Sequence, residues 1–306
     1  MRVRILGSAA GGGFPQWNCG CLNCRRFRLG SMRSAPRSQT QVAVSADDRW
    51  WFLLGASPDL RYQIESFPEL HPRSSGRNSP IGGAILTCAD LDHTLGLLLL
   101  REWQKLRIYS TDSIRTLLLQ NPFFRLLERM PEQTMWTAVA PCDPFELVSP
   151  DGAPSGIRAW MLPLPSQPPA YASGEQDVAG TGFVSALFLE TSSNQRLAFV
   201  PGLPAISEPL LSQLANCSTV LIDGTFWTND ELVRIEGHGR LAAEIGHMPI
   251  SGGEGSLARL SSLQMPARFY IHINNTNPLL DEDSREYRQV REAGWQTAHD
   301  GMELQL

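Results

Sequence analysis

The sequence predicts an α/β protein in which β-sheets are covered by helices. Short apolar segments typical of buried strands alternate along the chain with segments of helical patterning. Hydrophobic residues make up 42% of the 306 residues and charged residues 19%, which is enough apolar material for a large core. Because no internal repeat and no linker composition interrupts this pattern, it favours a single domain over residues 1–306.

The composition argues against several classes of protein. Lys and Arg total 26 against 31 Asp and Glu, a net charge of −5, and no basic stripe is interleaved with aromatic residues, so a nucleic-acid partner is not expected. Unbroken apolar runs such as Leu97–Leu100 are far shorter than the roughly 20 residues of a membrane-spanning helix. The first ten residues are too short and too charged for a secretory leader. We therefore expect a cytoplasmic protein.

Strands and turns dominate the start of the chain. Val3–Leu6 is a predicted strand that enters a turn containing Gly11, Gly12 and Gly13. This turn lacks the G-x-G-x-x-G spacing, and the Cys-rich loop 17–25 that follows is expected to leave no room for a pyrophosphate-binding helix, so a dinucleotide site is rejected. Further strands are predicted at Gln41–Ser45, Trp50–Leu54 and Ile81–Thr87.

Helices and strands alternate through the rest of the chain. The predicted helices are Thr94–Lys105, Ser113–Met130 with a break near Asn121-Pro122, Glu208–Ala215, Ser256–Leu263 and a last helix ending at Gln289–Ala293. The predicted strands are Arg107–Ser110, Gly156–Met161, Phe183–Glu190, Arg196–Val200, Ser218–Ile222 and Arg268–Ile273. The Pro-, Gly- and Ser-rich loop 162–182 is too long for an ordinary connector and predicts a lid over a substrate.

Three strand ends present side chains of the kind that bind metals. Asp92 and His93 follow the strand at 81–87, Asp223 follows the strand at 218–222, and His272 lies on the strand at 268–273. Taken alone, an Asp after a strand is usually a helix cap and a His is usually a hydrogen-bonded structural group. Because α/β proteins build their sites at strand ends, these four side chains are together candidates for one metal centre.

The segment around His93 resembles the H-x-H-x-D-H-x-x-G signature of the metallo-β-lactamase superfamily. Asp92, His93 and Gly96 match it, whereas Cys88 and Asp90 stand where the signature has its first two histidines. The resemblance implies further that Asp223 takes the place of an Asp that bridges two metals. It also implies that His272 completes the second metal site.

The departures from this signature point to one metal ion. The superfamily's first site needs another histidine before the bridging Asp, and the chain has none between His93 and His238. The second site keeps Asp92, His93, Asp223 and His272. Two imidazoles and a carboxylate with open positions suit Fe(II), which can bind O₂ beside a substrate, and Zn²⁺ accepts the same ligands.

A second candidate metal site has C-x-C-x-x-C spacing. Its members are three cysteines that can surround one structural Zn²⁺, namely Cys19, Cys21 and Cys24. The alternative, three thiols without a metal, would be an oxidation hazard. The resemblance to zinc-bearing members of the superfamily with the same cluster implies that His299 is the fourth ligand. Cys142 and Cys217 are expected to pack in the core.

The segment after Asp223 carries two further histidines. His247 can reach the metal as a proton relay or substrate contact, so we expect a functional role for it, whereas His238 is expected to be a solvated loop residue. The segment Asn274–Asn277 is expected to satisfy the backbone of a tight turn that aims His272.

Several longer stretches are similar to one branch of the superfamily, the coenzyme PQQ synthesis protein B family. They run from the first strand to the last helix and comprise Ile5–Gly13, Pro15–Cys19, Ala56–Asp59, Leu91–Thr94, Asp223–Thr225, Gly246–Met248 and His272–Pro278. The resemblance implies the αββα four-layer sandwich, with two mixed β-sheets flanked by helices.

The same resemblance implies a role in the biosynthesis of pyrroloquinoline quinone (PQQ). The activity it implies is iron- and O₂-dependent hydroxylation of the tyrosine ring of a Glu-Tyr precursor derived from the PQQ precursor peptide. The alternatives left open are a carrier or transport factor for PQQ or its precursor, and a metal-dependent phosphodiester or ester hydrolase. The expected partners are the Glu-Tyr substrate, O₂, other PQQ-pathway proteins and a second copy of the chain in a homodimer.

Overall fold

The computed structural model describes residues 1–102, 105–130, 132–172, 182–264 and 266–306. The strands are β1 Arg2–Gly7, β2 Gln41–Ser45, β3 Trp51–Leu54, β4 Ile81–Ile85, β5 Leu106–Ser110, β6 Thr134–Ala138, β7 Phe145–Val148, β8 Pro154–Pro163, β9 Ser185–Thr191, β10 Arg196–Val200, β11 Thr219–Asp223, β12 Ala267–Ile271, β13 Gln296–Thr297 and β14 Glu303–Gln305. The α-helices are α1 Leu22–Arg28, α2 Leu60–Glu65, α3 Leu91–Thr94, α4 Asp112–Gln120, α5 Glu208–Leu214, α6 Glu231–Glu236, α7 Ser256–Arg259 and α8 Arg285–Glu292. These elements form two mixed β-sheets with flanking helices, which confirms the predicted fold class.

The chain divides into two compact units. Unit 1 comprises Met1–Leu6, Gln41–Arg196 and Gly301–Leu306, and unit 2 comprises Gly7–Thr40 and Leu197–Asp300. The prediction of a single domain over residues 1–306 stays a prediction.

Unit 1 contains a mixed sheet in the order β14-β1-β2-β3-β4-β5-β6. Strand β14 is antiparallel to β1 and β2 to β3, whereas β3, β4, β5 and β6 are parallel. One apolar cluster contains buried side chains of this sheet, such as Leu53 and Ile108, together with Leu118 of α4 and Phe124 of the 3-10 helix that follows α4. Strands β7, β8 and β9 also belong to unit 1 and are antiparallel to one another.

Unit 2 contains parallel strands that place two of the predicted metal ligands, Asp223 at the end of one strand and His272 just after another rather than on it as predicted. Residues 197–200 of β10 pair with β11, β11 pairs with β12, and β12 pairs with the short β13. Strand β11 is buried along its whole length, as a parallel strand covered on both faces should be. Its last residue is Asp223, and β12 ends one residue before His272.

Several predicted elements differ in the structure. The prediction of one helix over Thr94–Lys105 is wrong, because α3 ends at Thr94 and, among the residues described between 95 and 102, a 3-10 turn at Leu95–Leu98 is the only helical element. The segment Ser113–Met130 is broken as predicted, into α4 and the 3-10 helix Phe124–Glu128. The Cys-rich loop does leave room for a helix, since α1 begins at Leu22.

The proposed lid lies partly outside the described residues, which omit 173–181. Its described beginning contains the end of β8 and a 3-10 turn at Ala170–Ala172. Within the described parts of the chain, no helix has the length and apolar character needed to span a bilayer.

Candidate metal centre

Unit 1 presents Asp92 and His93 on the short helix α3. His93 is buried and Asp92 is partly exposed, and His93 Nε2 lies 3.9 Å from Asp92 Oδ2. The backbone fixes this geometry, because Ala56 N donates to His93 O at 2.7 Å and Gly96 N donates to Ala56 O at 2.9 Å. A Cβ on Gly96 would overlap the carbonyl oxygen of Ser57, which gives the physical reason for glycine at this position of the motif.

The residues that replace the signature's first two histidines lie beside Asp92. Burial, together with the carboxylates of Asp90 and Asp92, raises the pKa of the Cys88 thiol well above its ordinary value. A protonated thiol is a poor metal ligand. Tyr171, from the described beginning of the predicted lid, donates its hydroxyl to Ala89 O at 2.6 Å.

Unit 2 holds Asp223 in a dense set of hydrogen bonds. Its Oδ1 accepts from Thr225 N at 2.9 Å and from Thr225 Oγ1 at 2.5 Å, and its Oδ2 accepts from Leu203 N at 2.9 Å. His247 Nδ1 lies 2.6 Å from the same Oδ2. The side chain is fully buried, so each of these donors replaces water that the carboxylate has lost.

The pKa of Asp223 reflects this balance. Burial acts to raise it, but the neighbouring imidazole of His247, then that of His272 and the hydroxyl of Thr225, outweigh burial and lower the pKa below its ordinary value. Asp223 is therefore the anionic group around which the two histidines are arranged.

Thr225 links Asp223 to His272. The hydroxyl has one proton, which the short contact to Asp223 Oδ1 uses, and its oxygen lies 2.8 Å from His272 Nδ1. Both His247 and His272 thus direct Nδ1 toward the Asp223–Thr225 pair, which places the lone pair of each ring on Nε2. The two rings are stacked, with centroids 5.4 Å apart and an angle of 18° between their planes.

His272 adopts an uncommon backbone conformation, with φ at +59°. Residues other than glycine rarely take this left-handed conformation, and such residues cluster at functional sites. Asp223, His247 and His272 each offer a ligand atom within 4.8 Å of the other two. Two imidazoles with a carboxylate are the donor set that suits non-haem Fe(II) and also Zn²⁺.

The three cysteines of the C-x-C-x-x-C motif come together in unit 2, with their sulfur atoms within 4.8 Å of one another. The structure does not add His299 to this cluster, because the groups formed among the described residues include no fourth His, Cys, Asp or Glu beside the cysteines. His299 is exposed, with Nδ1 3.0 Å from Asp300 O. Asp300 is held by Ser8 and Ser38, at 2.7 and 2.8 Å, and this fixes the segment so that His299 faces outward.

Other sequence expectations have mixed outcomes. His238 is exposed, as expected, and Cys217 is buried, as expected. The expectation for Cys142 is wrong, because this residue is exposed in a turn where its φ is +63°.

Sequence reasoning missed three residues of this region. Thr225 lies in one of the family-like stretches, but no sequence pattern assigns it a role, and only its contacts reveal that it joins Asp223 to His272. Asn275 was expected to serve its turn, yet its side chain reaches the cysteines. Glu231 is buried under the same loop and accepts a hydrogen bond from Thr276 at 2.5 Å, and no sequence motif marks it.

Comparison with known proteins places these features in a family. Residues 50–273 match the model of the beta-lactamase superfamily domain. The chain is 39% identical to coenzyme PQQ synthesis protein B from Nitrosococcus oceani over 315 residues, and 39% identical to that from Methylococcus capsulatus over 308 residues, in both cases covering 100% of each chain.

Solved structures agree with the sequence relatives. The zinc-bound crystal structure of PqqB from Methylobacterium extorquens superposes with a TM-score of 0.92 at 37% identity, over 100% of both chains. A diphosphatase of the PhnP family has a TM-score of 0.68 at 17% identity, covering 100% of this chain and 97% of its own, which shows a common fold only. This chain therefore belongs to the coenzyme PQQ synthesis protein B family, within the metallo-β-lactamase superfamily.

Proposed function

We propose that this chain acts in PQQ biosynthesis as an iron- and O₂-dependent hydroxylase of the tyrosine ring of a Glu-Tyr precursor. The names of its relatives support the pathway, since they are coenzyme PQQ synthesis proteins. The donor set supports the chemistry, because two imidazoles with carboxylates suit non-haem Fe(II).

The proposed ligands of one metal ion are Asp92, His93, Asp223 and His272. The residues fit such a role, because Asp92 and His93 direct Oδ2 and Nε2 toward each other in unit 1. In unit 2, Nδ1 of His272 is hydrogen-bonded to the hydroxyl of Thr225. A metal-binding histidine is usually oriented in this way, through the ring nitrogen that does not bind the metal. Bound there, Fe(II) would supply the one-electron chemistry that the use of O₂ requires.

Asp223, Thr225 and His247 also act on proton positions and on orientation. Asp223 and Thr225 fix the ring of His272, and Asp223 fixes the ring of His247 through Nδ1. His247 is partly exposed and keeps its lone pair on Nε2, so it can accept a proton from a phenol substrate and return it. Asp223 would stabilise the imidazolium formed in that exchange.

The observation that carries this proposal is the Asp223–Thr225–His272 contact chain. A carboxylate and a hydroxyl that hold an imidazole through Nδ1 are the usual partners of a metal-binding histidine, so this arrangement supports His272 as a ligand. Zn²⁺ is the alternative occupant of the same ligands, and the zinc-bound crystal structure of the relative from Methylobacterium extorquens supports metal binding in general.

The test is anaerobic reconstitution with Fe(II), followed by mass spectrometry of a Glu-Tyr dipeptide in the presence of a reductant. We expect no change without air and a gain of one oxygen atom per ring after air is admitted. Zn²⁺-loaded protein, and Asp92→Ala and His272→Ala variants, should leave the dipeptide unchanged. Turnover that does not need oxygen would contradict the proposal.

The same protein preparations separate the alternative functions. Two catalytic metal ions per chain, beside any bound to the cysteines, would favour hydrolysis over hydroxylation. Tight binding of PQQ that survives both Asp92→Ala and His272→Ala would favour a carrier.

We also propose that Cys19, Cys21 and Cys24 bind a structural Zn²⁺. Their three sulfur atoms converge, and thiolates are preferred ligands of this ion in closed structural sites. Loss of one zinc ion per chain in a Cys19→Ser variant would support this assignment.

A further inference from the structure

The loop that follows β12 brings an amide side chain to the three cysteines. Asn275 is buried, and its Nδ2 lies 3.1 Å from Cys19 Sγ, 3.6 Å from Cys21 Sγ and 3.5 Å from Cys24 Sγ. One terminal atom of the amide is therefore nearly equidistant from all three sulfurs. This is the position of the fourth corner of a tetrahedron whose other corners are the sulfurs.

The distances agree with the geometry of a tetrahedral zinc site. With Zn–S of about 2.3 Å and Zn–O of about 2.1 Å, a sulfur and an oxygen on the same ion lie roughly 3.6 Å apart. The three measured separations, 3.1 to 3.6 Å, are close to this value. A half-turn of the amide plane exchanges Nδ2 and Oδ1, so the amide oxygen can take the position that faces the sulfurs.

The backbone of the same loop also lies against the cysteine segment. The backbone oxygen of Asn275 accepts from Asn23 Nδ2 at 3.2 Å and lies 3.7 Å from Cys21 Sγ, and Asn23 Nδ2 also donates to Asn277 O at 2.9 Å. These bonds hold the loop against the cysteine segment and keep the Asn275 side chain directed at the sulfurs. His299, the other candidate, is exposed and directed elsewhere.

We propose that Asn275 Oδ1 is the fourth ligand of a Zn²⁺ ion bound by Cys19, Cys21 and Cys24. This inference rests on the proposal that the three cysteines bind zinc, and it does not depend on the hydroxylase activity. The site would be Cys₃Asn, in which a neutral oxygen takes the place that a histidine has in Cys₃His sites.

Zinc binding by Asn275 would also stabilise the loop on which this residue lies. Asn275 is three residues after His272, and the turn between them is anchored by Asn274 N on Thr225 O at 3.1 Å. Asn277 Nδ2 fixes the far side of the turn on Gly224 O at 2.9 Å. A metal bond at Asn275 would add an anchor to the same turn that presents His272.

Two nearly isosteric substitutions separate ligation from hydrogen bonding. Asn275→Asp keeps an oxygen for the metal and removes the N–H donors, whereas Asn275→Leu removes both. The measurement is the zinc dissociation constant of the full chain, by competition with a chromophoric chelator. If Oδ1 is the ligand, Asn275→Asp should bind Zn²⁺ as tightly as the parent or more tightly.

Asn275→Leu should weaken zinc binding by more than the roughly 10- to 100-fold that loss of an outer-shell partner costs. Its matched controls are Asn216→Asp and Asn216→Leu, at an exposed asparagine that donates to Ser212 O, and neither should change zinc binding. Co²⁺ spectra of the parent and of Asn275→Asp give a readout that does not need the leucine variant to fold. A shift of the Co²⁺ ligand-field bands between these two proteins is expected, because the oxygen ligand changes from amide to carboxylate.

Three results would overturn the inference. The first is weak zinc binding by Asn275→Asp, which would mean that the amide only donates to the thiolates. The second is unchanged zinc binding by Asn275→Leu. The third is identical Co²⁺ spectra of the parent and Asn275→Asp. A Cys19→Ser variant distinguishes the two proposals. If Cys19→Ser retains all its zinc, the proposal that the cysteines bind zinc is wrong. If Cys19→Ser loses one zinc ion and Asn275→Leu keeps that ion, only the proposed role of Asn275 is wrong.

Discussion

Thr225 contacts both the carboxylate and a histidine of the candidate metal centre. Its hydroxyl joins Asp223 Oδ1 to His272 Nδ1, and its backbone N–H donates to the same carboxylate oxygen. Thr225→Val keeps the shape of the side chain and removes the hydroxyl. We expect metal affinity to fall by roughly 10- to 100-fold, the usual cost of losing an outer-shell partner.

The affinity of the Thr225 variants can be measured by titration with Fe(II) under anaerobic conditions, or with Co²⁺. Thr225→Ser retains the hydroxyl and is the matched control, so it should bind metal much as the parent does. Equal affinity of Thr225→Val and the parent would show that the hydroxyl does not orient His272.

The raised pKa of Glu231 predicts that the stability of the protein depends on pH. Burial raises its pKa from 4.5 to about 7, although hydrogen bonds from Thr276 and from the backbone of Trp227 act in the other direction. The folded state thus binds this proton more tightly than the unfolded state does. Stability from this group is fully present below about pH 4.5 and is lost as the pH rises to about 7, a change of about 3 kcal/mol.

Glu231→Gln removes the titration. The free energy of unfolding of parent and variant can be measured by urea denaturation at several pH values. As the pH rises through this window, the free energy of unfolding of the parent should fall relative to that of the variant. A difference that stays constant from pH 4.5 to pH 7 would contradict the assignment.

At the level of elements, the turn after α3 depends on Gly96. A Cβ there would overlap the carbonyl oxygen of Ser57 and lie 2.8 Å from the carbonyl carbon of Ala56, both of them backbone atoms. Gly96→Ala should therefore destabilise the chain by at least the 1–3 kcal/mol or so typical of overpacking. Gly253→Ala, where a Cβ would meet no atom within 4 Å, is the control for urea denaturation.

The same turn explains why the described residues 94–102 do not form one long helix. Its leucine-rich sequence has helical propensity, but Gly96 N donates to Ala56 O and so ties the chain to the segment after β3. Tertiary contacts override local propensity here. The buried strands β4, β11 and β12 were predictable because their apolar runs require burial whatever their neighbours are.

At the level of the whole molecule, zinc at the cysteines would join distant parts of the sequence. Cys19 and Asn275 are 256 positions apart and meet in unit 2. A ligand that binds only the folded state stabilises it by about 2.7 kcal/mol when present at 100 times its dissociation constant. Zinc removal by a chelator should thus lower the Tm seen by calorimetry, and readdition of Zn²⁺ should restore it.

Cys19→Ser provides the control for this experiment, because its Tm should show only the response to chelator or added zinc that comes from the candidate metal centre. A parent protein whose Tm is unchanged by complete removal of zinc would show that the cysteine site contributes nothing to stability.

The sequence by itself determined the fold class and the family, and it predicts Asp92, His93, Asp223 and His272 as metal ligands, because strand ends, ligand chemistry and motif spacing are local properties of a chain. Only the tertiary structure decided that Thr225 orients His272 and that Asn275, not His299, faces the cysteines. Those outcomes depend on where a loop is anchored. The anchors, such as Asp300 on Ser8 and Ser38, are hydrogen bonds between residues hundreds of positions apart, which no local pattern encodes.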